Sequence, residues 1–99
     1  MGKCVVVAPD SAYTNAYEAK LRGLLEEGID LFCAAGPHAT SWEDAMDWLC
    51  VQLDVDGVLP GAFCNTTSHS DQSVEEVLEF ARNWNRLKGE EPDVRVLEI

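Results

Sequence analysis

"IDLFCAAGPHATSWEDAMDWLCVQLDV", residues Ile29 to Val55, changes its hydrophobic period halfway along. Ile29 to Ala35 is a short apolar run with almost no alternation, the pattern of a strand covered on both faces. Beyond the Gly36-Pro37 turn, Trp42, Ala45, Met46, Leu49 and Leu53 fall at i, i+3, i+4, i+7 and i+11, which is one stripe of a helix. Thr40 and Glu43 have the spacing of a capping box at its start, and the acidic turn Asp54 to Gly57 stops it. A strand feeding a helix through a short loop is the repeating unit of an α/β sheet.

The rest of the chain reads the same way. Apolar, partly β-branched runs at Cys4 to Ala8, Val58 to Thr67 and Val94 to Ile99 supply three more strands. Pro60 and Gly61 break the start of the third run, so its strand is expected to begin near Ala62. Tyr17, Leu21, Leu24 and Leu25 line one face of a first helix, with Asn15 and Glu18 as its capping pair and Gly28 as its stop. Val74, Val77, Leu78, Ala81 and Trp84 line a third helix opened by Ser73 and Glu76, and Lys88 to Asp93 form the last loop. The order is βαβαβαβ over residues 1–99 in a single domain. It implies a three-layer α/β fold with a small, mostly parallel four-stranded sheet and three helices, in a flavodoxin-like or Rossmann-like arrangement. The strand order expected is 2-1-3-4, with "VRVLEI" carrying Arg95 and Glu98 as an edge.

Of the 99 residues, 46% are hydrophobic and 25% charged, the balance of one ordinary globular domain. Eighteen acidic residues against seven basic ones give a formal charge of -11, and the Lys and Arg form no cluster. Nucleic acid and anionic membrane both require a cationic footprint, so neither is expected as a partner; a basic protein, a basic peptide or a metal cation fits the charge, and so does a charge that only provides solubility. There is no apolar run long enough to span a bilayer, the start lacks a signal-peptide core, and Val6 stands where myristoylation needs Ser or Thr, so a cytoplasmic location is expected. Cys4, Cys33, Cys50 and Cys64 lie in or beside apolar runs with no C-x-x-C pair, which suits reduced, buried thiols.

"FCAAGPH" at Phe32 to His38 returns as "FCNTTSH" at Phe63 to His69 with the same Phe-Cys-x-x-x-x-His spacing. Within each copy an extended chain separates cysteine from histidine by roughly 16 Å. A zinc site needs close ligand pairs, and none is present, so no metal or other cofactor is expected. The repeat instead marks equivalent places at the ends of two strands, where open α/β sheets bind ligands. With order 2-1-3-4, Asp10, Asn65, Thr66, Thr67 and His69 line the switch-point crevice and His38 lies one strand further out. Asp10, Ser11, Thr40, Ser70, Asp71 and Ser73 are equally the residue types that cap helices and close turns. Trp42 and Trp84 suit core stripes, but Trp48 lies off the main stripe of its helix and would mark a contact surface if exposed.

Several chemistries lack their residues. The chain has no Walker loop, no G-x-G-x-x-G and no G-x-S-x-G elbow. The paired acids of a receiver domain are missing after the first strand, Asn65 stands at the phosphorylation position, and no cysteine is followed by the arginine of a thiol phosphatase.

The stretches "GPHATSWEDAMDW" and "NTTSHSDQSVEEVLEFA" resemble an uncharacterised family of small bacterial proteins. In that family a Gly-Pro turn precedes a Ser-Trp-acid-Asp helix start, and a Thr-Thr-x-His-x-acid-acid stretch precedes an acidic helix. The matching residues are Gly36, Pro37, Ser41, Trp42, Glu43, Asp44 and Asp47, then Thr66, Thr67, His69, Asp71 and Glu76, over about half the chain. Ser68 stands where the family has an aromatic and Gln72 where it has a second acid. The resemblance implies the fold and the location of the polar residues, and no reaction.

Two functions follow from these residues. One is a protein-binding or regulatory module, not an enzyme, whose acidic surface meets a basic protein through Glu75, Glu76, Glu79 and Trp48. The other is a small-molecule crevice, catalytic or not, with His69 as acid or base, Asp10 as its orienter or a cation ligand, and Thr66 and Thr67 as donors. A homodimer through the Val94 to Ile99 edge strand is a further expectation.

Overall fold

A computed structural model describes residues 3–62, 64–87 and 93–97. The elements run β1 (Lys3–Val7), a 3-10 turn (Asn15–Tyr17), α1 (Glu18–Glu27), β2 (Leu31–Ala35), α2 (Ala39–Val55), β3 (Asn65–His69), α3 (Val74–Leu87) and β4 (Asp93–Leu97). All four strands are parallel, so the fold is the three-helix, four-strand α/β arrangement expected.

The order is β3-β2-β1-β4 rather than 2-1-3-4. Burial explains the difference. Every residue of β2, "LFCAA", is buried, which a strand achieves only with neighbours on both sides and helices on both faces. The sequence "NTTSH" of β3 is polar and belongs at an edge, where charge and hydroxyls keep unpaired backbone from sticking. β4 occupies the other edge, as "VRVLEI" implies; its last two residues, 98–99, lie outside the described residues.

The third strand also begins later than its apolar run. Val58 to Ala62, with Cys64, precede β3 instead of forming it, with Gly57 and Gly61 at positive φ (71° and 76°) in the turns. Leu59 and Ala62 pack on the core from this connection, Cys64 is buried, and the Gly61 amide donates to Asp54 Oδ1 at 2.7 Å. Apolar residues here serve as a plug beneath the end of α2.

Alternation along the strands divides the core into two layers. Val5, Val7, Phe32 and Ala34 face α1 and α2, where they meet Leu21, Leu24, Leu25, Trp42, Met46, Leu49 and Leu53. Cys4, Val6, Leu31, Cys33 and Ala35 face α3, where they meet Val77 and Ala81. Consecutive right-handed crossovers from β1 to β2 to β3 keep α1 and α2 together; the return to β4 runs the other way and puts α3 opposite.

Trp42 anchors the thicker layer. It is fully buried, its indole Nε1 donates to the Ser11 carbonyl at 2.9 Å, and the rings of Tyr13 and Tyr17 lie 5.3 and 5.0 Å from its own. These contacts fold the β1–α1 loop over the start of α2, helped by the Tyr13 amide donating to Ser41 Oγ at 3.1 Å.

Helix ends follow the sequence in part. Gly28 stops α1 in the left-handed conformation (φ 81°). Ser73 and Glu76 form the expected capping box, with the Glu76 amide donating to Ser73 Oγ at 3.3 Å and the Ser73 amide to Glu76 Oε1 at 3.2 Å. The other two pairs do not cap. His38 takes the N-cap position of α2, leaving Thr40 inside the helix, and α1 begins at Glu18 itself behind a 3-10 turn. In both places aromatic packing around Trp42 sets the chain's path into the helix and overrides the cap signal. The expected loop from Lys88 to Asp93 lies, up to residue 92, outside the described residues.

Candidate functional site

The observed strand order takes apart the crevice read from the sequence. Its switch point falls between β1 and β4, so the loop carrying exposed Asp10 borders β4, while β3 is two strands away. Asn65 opens β3 opposite Leu31, at the amino edge of the sheet, where its amide donates to the Asp30 carbonyl at 2.9 Å. Thr66 pairs with Phe32 and faces α2, and its Oγ1 donates to Asp47 Oδ1 at 2.6 Å. Thr67 and His69 face the opposite side, toward α3.

His69 reaches the carboxyl edge but is occupied within the protein. Its Nδ1 lies 2.5 Å from Gln72 Oε1 and its Nε2 lies 2.8 Å from Thr67 Oγ1, so both ring nitrogens have a partner within the protein. The ring sits 4.8 Å from Phe80. His38 lies in the neighbouring loop, its carbonyl accepting from Ser41 Oγ at 2.9 Å, and the Gly36 amide donates to the His69 carbonyl at 3.2 Å. The structure thus brings the two histidine loops together and separates both from Asp10.

The Phe-Cys-x-x-x-x-His repeat divides in the same way. Cys33 belongs to the layer under α3 and Cys64 to the layer under α1 and α2, on opposite faces of the sheet; Phe63 lies outside the described residues. Cys64 is instead beside Cys50. Burial pushes both of these thiols up, as it does Cys33, which rises to about 11 despite its hydrogen bond with Thr67. All four cysteines are buried and none is in a disulfide among the described residues, so each serves as a small apolar side chain in the core.

Among the described residues, three of the four exposed large apolar side chains on helices lie on the outer side of α2, the fourth being Phe80 on α3. Trp48, Val51 and Val55 are exposed at 70, 55 and 77%, and Val58 just beyond the helix is exposed as well. Their spacing of i, i+3 and i+7 is a second apolar stripe on a helix whose first stripe already fills the core. Of these, only Trp48 stood out from the sequence. The valines complete a second helical period, offset from the core stripe, that the sequence carries at i, i+3 and i+7 from Trp48.

Open clefts flank this ridge. One, of about 310 Å³, runs along the α1 side and is lined by Tyr13, Glu18, Ala45, Trp48, Leu49 and Gln52 with Asn15. The other, of about 410 Å³, faces the β3 side and is lined by Asp47, Cys50, Val51, Asp54, Ala62 and Cys64. Burial, with the Glu18 carboxylate second, pushes the Tyr13 phenol up, in keeping with an acidic environment. Asp44 lies one turn before Trp48 on the same stripe, and Asp56 caps the helix at its far end.

Charge is distributed unevenly along the chain. From Gly23 through Ala81 there is no Lys or Arg, and this span includes α2, β3 and the acidic start of α3 with Glu75, Glu76 and Glu79 exposed. Of the cations nearest α2 in sequence, Arg22 is committed to Glu26 at 3.5 Å. No helix among the described residues is long and apolar enough to cross a membrane.

Fold and surface together define a small open parallel α/β domain with an acidic exterior and an apolar ridge. The chain belongs to a family defined as a domain of unknown function (DUF7684), whose model matches residues 1–99. No curated protein and no solved structure matches it.

Proposed function

We propose that this protein is a binding module whose acidic exterior takes up a basic protein partner. The observation that carries the reading is the span from Gly23 to Ala81, free of Lys and Arg, within a chain of formal charge -11. A surface of one sign steers an oppositely charged partner and repels nucleic acid and anionic lipid alike. Buried thiols outside any disulfide suit a reducing compartment, and the reading puts the protein in the cytoplasm.

The test is the salt dependence of association with a basic protein partner recovered on the immobilised chain and identified. Binding should weaken steeply as ionic strength rises through the physiological range, because exposed charge pairs are screened over about 8 to 10 Å. The double change Glu75→Lys with Glu79→Lys, which leaves the Ser73–Glu76 cap intact, should slow association. Affinity unchanged by salt, or a recovered partner that is itself acidic, would remove the reading.

A further inference from the structure

The apolar ridge on α2 requires an account that solubility does not supply. Three large apolar side chains a turn or so apart, all more than half exposed, form an unpartnered helix face on a protein with abundant acids to cover its surface. We propose that this face is the contact surface for a basic amphipathic helix of the partner protein. The inference rests on the reading of the chain as an acidic binding module and gives that module its contact site.

Three features fix the chemistry of the occupant. The ridge of Trp48, Val51 and Val55 stands between two clefts, so a second helix can lay its own apolar row into them, ridge against groove. Trp48 lines one cleft and Val51 the other, and the indole, the largest apolar side chain of the ridge, is the anchor of the contact. Around this ridge stand acids alone on α2: Asp44 on the stripe, Asp47 and Asp54 beside the wider cleft, and Asp56 at the helix end. Two of them are aimed by the protein itself, since Asp47 accepts from Thr66 and Asp54 from the Gly61 amide. Lys and Arg flanking an apolar row on the partner would meet these carboxylates at the rim.

The same charges argue against a second copy of the chain. Packing α2 on α2 would bring Asp44, Asp47, Asp54 and Asp56 of one copy against like residues of the other, between molecules of formal charge -11. An anionic bilayer is repelled for the same reason.

The probe is a labelled synthetic Leu/Lys peptide about five turns long with its leucines at helical spacing, followed by fluorescence anisotropy with the full chain at low salt. A control peptide has the same composition in scrambled order. The amphipathic peptide should bind about tenfold more tightly than the scrambled one, and Trp48→Ser combined with Val55→Ser should abolish that advantage. These side chains are exposed, so the variant's melting temperature should match the parent's. Asp44→Lys should weaken binding independently of any apolar change.

Equal binding of both peptides would show that charge alone acts, overturning the ridge while leaving the acidic module standing. So would a loss confined to Glu75→Lys with Glu79→Lys, which would move the contact to α3. No binding of either peptide at low salt would overturn both readings. A salt-stable dimer of the parent chain, made monomeric by Trp48→Ser, would show that a second copy covers the ridge and would overturn the inference.

Discussion

α2 and α3 lie on opposite faces of one sheet and treat water differently. α3 buries Val77 and Ala81 and turns Glu75, Glu76, Glu79 and Arg82 outward, and its one exposed large apolar side chain among the described residues, Phe80, lies against the His69 ring. α2 buries Trp42, Met46, Leu49, Cys50 and Leu53, and then shows Trp48, Val51 and Val55 to solvent. The core needs only the first set. A helix with one apolar face has been fully used by its own fold, whereas a helix with two has one left over for something else.

Trp42 and Trp48 sharpen that comparison most, being the same residue type on the same helix. Trp42→Ala removes a fully buried indole, its hydrogen bond to the Ser11 carbonyl and its contacts with Tyr13 and Tyr17. Denaturant melts should show a loss of about 3 to 5 kcal/mol, enough to unfold a small domain. Trp48→Ala should stay within about 0.5 kcal/mol of the parent. Comparable losses at the two sites would mean that the ridge is structural, and the contrast between the helices would collapse.

The α3 layer carries a pH signature through Cys33. Burial raises this thiol from an ordinary 9.0 to about 11, so the native state holds its proton at pH values where the unfolded chain releases it. Stability is therefore intact below about pH 9 and falls as pH rises from there toward 11, by about 1.4 kcal/mol per pH unit for one such thiol. Cys33→Ala should flatten part of that slope in melts taken across the range. An unchanged alkaline slope would assign it to other groups.

At the start of α3, Ser73→Ala deletes the hydroxyl that receives the Glu76 amide and should cost about 1 kcal/mol. Smaller still is the Arg95–Glu27 pair between β4 and α1, at 3.0 Å but with both side chains nearly half exposed. Glu27→Gln should change stability by less than about 1 kcal/mol, and high salt should erase even that.

How far the sequence carries depended on what kind of signal each region holds. Ile29 to Val55 gave strand, turn and helix nearly to the residue, because its two hydrophobic periods are long and unmixed. The Ser73–Glu76 cap was equally legible, since nothing nearby competes with it. Strand order was not: it depends on which strand pairs with which, and the decisive clue is the polarity of "NTTSH", which the apolar run before it obscured. The crevice of Asp10 with Thr66, Thr67 and His69 failed with the order it was built on. Thr66 and Thr67 are adjacent in sequence, yet face different layers by simple alternation. At the acidic ends the reverse held, as charge excess needs no fold to be read, though its pairing with an apolar ridge does.

The most direct measurement uses the indole signals of Trp42 and Trp48 in an amide correlation spectrum, recorded as the basic partner is added. The Trp48 Nε1–H resonance should shift with saturation, together with the amides around Asp44 and Val55, while Trp42, held against the Ser11 carbonyl inside the core, stays in place. Shifts confined to α3 around Glu75 and Glu79, with Trp48 unmoved, would contradict the claim that the second face of α2 is where this protein meets its partner.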